Sequence, residues 1–140
     1  MNRKAILGSL LLILSFFYAG PLAAQFRFMH YETIEGVRVD YRWQRTSFFN
    51  KQSDAVINFQ FTNESAFPVE VTFDLGFYRE QQLMHESTEN TVCLLPGQTR
   101  RGMRAGLRFT AAGVTLPMTE MEWFSWDLIH FEVQEVTDCP

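Results

Sequence analysis

Lysine is scarce in this chain: Lys4 and Lys51 are the only two among 140 residues. With a formal net charge of −4, the sequence has no basic stripe to follow a phosphate backbone, which argues against nucleic acid as a partner. It argues equally against attraction to an anionic membrane surface. Histidine is sparse as well, and the spacings of His30, His85 and His130 match no metal motif. No Gly-x-Ser-x-Gly elbow and no glycine-rich phosphate loop is present. The 16 acids are scattered, and neither Glu120 with Glu122 nor Glu132 with Glu135 sits in a context that raises a catalytic pKa. Apolar residues at helical spacing are missing over any useful length. These absences predict a chain with no catalytic residue, no cofactor and no metal.

What the sequence does have begins at its start. Asn2-Arg3-Lys4 is a short positive head, Ala5 to Phe17 is an almost unbroken apolar run, and Leu22-Ala23-Ala24 ends in small residues before Gln25. That is the layout of a secretory signal peptide, with cleavage expected after Ala24. The apolar run is short of the roughly 20 residues that span a bilayer, and no second run of spanning length follows. The expected product is therefore periplasmic or secreted and keeps no membrane anchor.

Residues 25–140 then form one domain, whose ten cations and 16 acids give a net charge of −6. It retains both cysteines of the chain, Cys93 and Cys139. In an exported protein two cysteines usually pair, and closing a loop of this length stabilises by roughly 4 kcal/mol before strain. Two free thiols, or Cys139 bonded to another molecule, are the alternatives.

The dominant rhythm is alternation. Val37, Val39, Tyr41 and Trp43 point one way and Arg38, Asp40, Arg42 and Gln44 the other. Ala55, Ile57, Phe59 and Phe61 alternate with Val56, Asn58, Gln60 and Thr62. Val69, Val71, Phe73, Leu75 and Phe77 alternate with Glu70, Thr72, Asp74 and Gly76. Such runs are half-buried strands, rich in the β-branched and aromatic residues a pleated surface prefers. Polar loops at 50–54, 62–68 and 79–82 and the Pro96-Gly97 turn separate them. Shorter strands are expected over Gln82–Ser87, Thr91–Leu95 and Met103–Thr110, with an edge strand near Arg27–Glu32. In a long last strand, Ile129, Phe131 and Val133 face one side and Leu128, His130, Glu132 and Gln134 the other. One helical turn is expected near 119–124, where Thr119 and Glu122 have capping-box spacing. The prediction is an all-β chain: a β-sandwich of 7–8 antiparallel strands, with a closed barrel as runner-up.

In this architecture the chain resembles the immunoglobulin-like and fibronectin III-like sandwiches. It departs from the immunoglobulin signature: Trp43 precedes both cysteines, the gap from Cys93 to Trp123 is too long, and no Tyr lies two residues before Cys139. The disulfide is therefore not expected to cross between sheets in the antibody manner. A second likeness rests on Tyr41-Arg42-Trp43, Asn63, Pro68-Val69 leading into Val71 and Phe73, Cys93, Pro96-Gly97, Gly106-Leu107-Arg108-Phe109 and the final Cys139. This string is similar to small uncharacterised secreted proteins of bacteria. It implies an exported sandwich and carries no activity.

Two features are candidate ligand contacts. Trp123-Phe124-Ser125-Trp126 would form an aromatic platform if exposed, or enter the core with Trp123 capping its edge. Arg100 and Arg101, with Arg104 close behind, would receive a carboxylate or phosphate, or simply line a solvated turn. Asn63-Glu64-Ser65 fits the glycosylation pattern and marks a surface loop. The expected function is a non-catalytic binding or interaction module meeting a protein or glycan; the alternative is a small secreted hydrolase or an enzyme inhibitor.

Overall fold

The computed structural model describes residues 27–140. The expected leader, residues 1–24, and its cleavage point lie outside the described residues.

The alternating segments become strands of two stacked antiparallel sheets. In chain order they are β1 (Met29–Ile34), β2 (Val37–Arg45), β3 (Asp54–Asn63), β4 (Val69–Arg79), β5 (Gln82–Leu94), β6 (Thr99–Arg101), β7 (Arg108–Thr115) and β8 (Phe124–Glu135). One sheet runs β1-β2-β3, with both β6 and β7 pairing the far side of β3; the other runs β5-β4-β8. Among the described residues the only helical segments are 3-10 turns, Met103–Ala105 and Leu116–Glu120. The described residues thus form an all-β sandwich of eight strands.

The inward positions of β2, β3 and β4 build the core. Val37, Val39, Ile57, Phe59, Phe61, Val71, Phe73, Leu75 and Phe77 are all buried. Rings meet across the two sheets mostly edge to face: Phe61 and Phe73 have centroids 5.3 Å apart, Phe59 and Trp126 5.5 Å, Trp43 and Phe124 5.8 Å. Each such ring contributes roughly 1.5–3 kcal/mol by burial, with roughly 0.5–1.5 more per well-set aromatic pair.

Bulges explain where the expected strands are redrawn. Gln82–Ser87 and Thr91–Leu95 are one strand, β5, carrying a bulge opposite Asp74 where Glu89 takes φ 57°. In β8 the extra residue lies opposite Phe73, and His130 takes φ 51°. That bulge resets the phase of the last strand. Leu128, expected on the polar face, is 9% exposed and joins the core, as do Phe131 and Val133 beyond the bulge. A third bulge, in β1 between His30 and Glu32, turns Tyr31 across to the other sheet, where its hydroxyl donates to Asp127 at 3.0 Å.

Three further segments differ from expectation. Met103–Thr110 is not one strand: Gly102 (φ 67°) and Gly106 (φ 71°) frame the 3-10 turn, and β7 begins at Arg108. The helical turn falls at Leu116–Glu120, with Pro117 in its first turn; Thr119 does not cap a helix but donates its hydroxyl to Leu116 O at 2.7 Å. Val56 and Asn58, expected on an open face, are buried because β3 is central; Asn58 donates its amide to Gln44 Oε1 at 2.7 Å.

Cys93 and Cys139 are bonded, with Cα atoms 5.6 Å apart. Cys93 lies on the outer face of β5, opposite Glu70 of β4, between the buried Val92 and Leu94. Beyond β8 the chain is held by Val136 N–H donating to Pro68 O at 3.0 Å, and the tail then reaches β5. The bond therefore ties the tail to the three-stranded sheet and does not bridge the two sheets.

Candidate functional site

The β2–β3 loop, the β4–β5 turn and the β7–β8 connection gather at one end of the sandwich. Glu80 N–H donates to Trp123 O at 2.7 Å, and Trp43 packs against Phe77 and Phe124 beneath them. The loop of residues 46–53 is short and polar apart from two phenylalanines. Its serines and asparagine bond the loop to itself, as such residues do in turns. Ser53 Oγ donates to Asn50 O at 2.7 Å and accepts from Ser47 N–H at 3.2 Å. Gln52 N–H donates to Asn50 Oδ1 at 2.9 Å, and Thr46 N–H closes the base on Asp54 O at 3.0 Å.

On this braced frame Phe48 is 75% exposed and Phe49 94%. Their rings stand edge to face, 5.4 Å apart at 88°. Lys51 lies on the same loop, exposed. Beneath Phe48 opens a cavity of about 320 Å³ lined by Trp43, Gln44, Arg45, Thr46, Phe48, Arg108 and Leu116. Its lining contains two guanidinium groups and no acid. Asp54, at the base of the loop, uses its Oδ1 to accept from Gly113 N–H at 3.2 Å.

The expected contact residues are spread apart. Phe124 is 6% exposed, and Trp126 packs against Tyr31, Tyr41 and Phe59 at 5.0, 4.9 and 5.5 Å. Phe124 is buried and Trp126 is partly buried against the core, so the three aromatics of 123–126 do not make one platform. Trp123 alone caps the edge, with the Arg79 guanidinium 4.6 Å above its ring centroid. Arg100 and Arg101 are adjacent on β6 and so point to opposite faces. Arg100 donates to Cys93 O at 3.4 Å, while Arg101 and Arg104 are exposed. Asn63 corrects the reading of its tripeptide as a surface mark. Its side chain is wholly buried, donating to Phe67 O at 2.7 Å and Leu94 O at 3.1 Å and accepting from Ser65 N–H and Oγ.

The histidines lie on three different strands, His30 on β1, His85 on β5 and His130 on β8. His30 meets Asp40 at 3.1 Å, beside Arg38, which donates to the same carboxylate. His130 pairs with Asp74 at 2.8 Å. That contact raises the His130 pKa above its usual value; with the Glu89 N–H it also holds the Asp74 carboxyl below the ordinary range. Burial, helped by the bond to Asp127, pushes the Tyr31 phenol up to about 12. Among the described residues no group of three or more His, Cys, Asp or Glu side chains is placed to hold a metal ion.

Arg45, Phe48, Phe49 and Arg108 escaped the sequence reading. A signal was there: two adjacent aromatics between Ser47 and Asn50, in a segment otherwise polar. Comparison with family models, with curated proteins and with solved structures finds no match.

Proposed function

We propose that this chain is an exported, non-catalytic binding module that engages a partner protein through the Phe48–Phe49 loop. The observation that carries this reading is the pair of almost fully exposed rings on a loop braced by its own hydrogen bonds. Large exposed apolar groups mark interaction sites, and a loop already ordered loses little freedom on docking. The edge-to-face arrangement offers no continuous two-ring platform for an extended glycan. It suits insertion of the rings into an apolar pocket of a protein instead. The Cys93–Cys139 bond is compatible with a periplasmic or secreted location, as is the absence, among the described residues, of a helix long and apolar enough to cross a membrane. The leader supports the same location.

The test is binding of residues 25–140 to fractionated envelope proteins, compared with the double variant F48S/F49S. The expected result is a saturable partner whose affinity falls by roughly tenfold or more in the variant, with the melting temperature unchanged. Partner binding indifferent to the double substitution, or turnover of ester, glycoside or peptide substrates, would overturn the reading.

A further inference from the structure

We infer that the cavity beneath Phe48 is a binding site for a carboxylate carried on a small apolar body, such as an organic acid or the C-terminal residue of a peptide. The inference rests on the reading of this end of the sandwich as the binding end, and it names the chemistry of a second contact there.

The lining divides by chemistry. Trp43, Phe48 and Leu116 supply apolar and aromatic wall, and Arg45 and Arg108 supply two cations. Neither guanidinium has an ion-pair or hydrogen-bond partner among the described residues. Both are partly buried, so their charge is less screened than on an open surface. Gln44 is fixed, its Oε1 accepting from Asn58, which leaves its amide hydrogens as donors. Thr46 Oγ1 donates to Asp54 O at 3.1 Å and keeps acceptor capacity only. The two guanidinium groups and the Gln44 amide hydrogens are therefore donors, and no acid in the lining competes for them.

Guanidinium forks match a carboxylate in two parallel hydrogen bonds, which a neutral amide cannot reproduce. A cavity of about 320 Å³ lies at the low end of small-ligand sites, which run from about 300 to 1,000 Å³. It suits a body the size of one aromatic or branched aliphatic group. The domain's net charge of −6 disfavours a multiply charged anion, which selects a single carboxylate over a phosphate dianion.

The site joins segments distant in sequence. Arg45 ends β2, and Arg108 opens β7. β3 lies between those strands and sets both, pairing Ala55 with Arg45 and Asn58 with Arg108. Phe48 lines the cavity while Phe49 is outside it. The two rings can thus serve different contacts, one over the cavity and one toward the partner protein.

The experiment titrates residues 25–140 with 2-naphthoate and with 2-naphthamide, and with an acetylated tripeptide ending in phenylalanine as free acid and as amide. Trp43 fluorescence and amide chemical shifts are the readouts. At least one acid is expected to bind saturably, roughly tenfold or more tighter than its amide. Its shifts should centre on Arg45, Thr46 and Arg108. R45Q and R108Q should each weaken it by roughly tenfold, while K51Q, outside the lining, leaves it unchanged. Which acid binds identifies the source as free acid or peptide end. Equal binding of acid and amide, shifts centred elsewhere, or an equal loss in K51Q overturns the inference, as does no binding of either acid. F49S separates the two readings. Carboxylate binding that survives in F49S, alongside partner-protein binding indifferent to Phe49, leaves this inference standing and removes the protein-docking role. Partner binding without carboxylate binding does the reverse.

Discussion

Asp74 Oδ2 lies 2.8 Å from His130 Nδ1, and the other oxygen of the same carboxylate accepts the Glu89 N–H at 2.8 Å. One side chain in the central strand of the three-stranded sheet therefore braces a bulge on each neighbour. Both bulge residues have positive φ, 57° at Glu89 and 51° at His130, which side-chain-bearing residues adopt at a cost. The carboxylate offsets that cost on both sides at once.

The pair makes stability depend on pH. His130 has its pKa raised above 6.5, so its contribution is fully present below about pH 6.5 and is lost as pH rises through the folded value. Asp74 has its pKa lowered below 3.8, so its contribution is fully present above about pH 3.8 and is lost as pH falls through the folded value. Urea midpoints of the wild type and H130Q should differ most between these limits and converge above neutrality. A gap that stays constant to pH 8.5 would mean that His130 acts by packing alone.

Asn63 is the polar hub of the opposite end. Replacing it with alanine takes a donor from the buried Leu94 carbonyl and the acceptor from the Ser65 N–H, while the Phe67 carbonyl keeps the Ser65 hydroxyl at 3.0 Å. Unsatisfied buried groups cost about 1–3 kcal/mol each, so N63A is expected to lose about 2–4 kcal/mol in urea denaturation. S65A removes only a hydroxyl and should cost less than half of that.

Trp126 and Trp123 should separate cleanly. Trp126 is wedged among Tyr31, Tyr41 and Phe59, and W126A is expected to cost about 3–5 kcal/mol. Trp123 caps the edge under Arg79, and W123A should cost about 1–2 kcal/mol, through lost area and the cation–π contact. Thermal melts of the two variants decide it. Equal losses would contradict the core placement of Trp126.

Much of the sandwich was legible because period-two alternation is local. The phase of β2, β3 and β4 follows from residues such as Val39, Phe59 and Leu75 without knowledge of their partners. The bulges were not legible, because they arise between strands: Asp74 meets His130 from 56 residues away. Once the bulge at His130 was missed, Leu128 fell on the wrong face. The candidate site was hidden for a related reason. An aromatic letter reads as core by default, and only the bonds among Ser47, Asn50 and Ser53 hold Phe48 and Phe49 outward. Arg45 and Arg108 line one cavity although β3 separates their strands.

The disulfide offers the sharpest separation of local from global effects. Its loop spans 46 residues of separation, and loop-closure entropy puts its contribution near 4 kcal/mol, so its removal is expected to cost about 2–5 kcal/mol. C93S and C139S remove the same link, so their urea midpoints should agree with each other and with the reduced wild type. Cys93 is set in β5 between Val92 and Leu94, whereas Cys139 lies beyond β8. The native sheet should therefore survive reduction, while protease should cut the segment after Val136, whose N–H is held by Pro68 O. If reduction instead exposed β5 to cleavage near Cys93, the bond would be holding the edge strand itself, and the tail would be its brace.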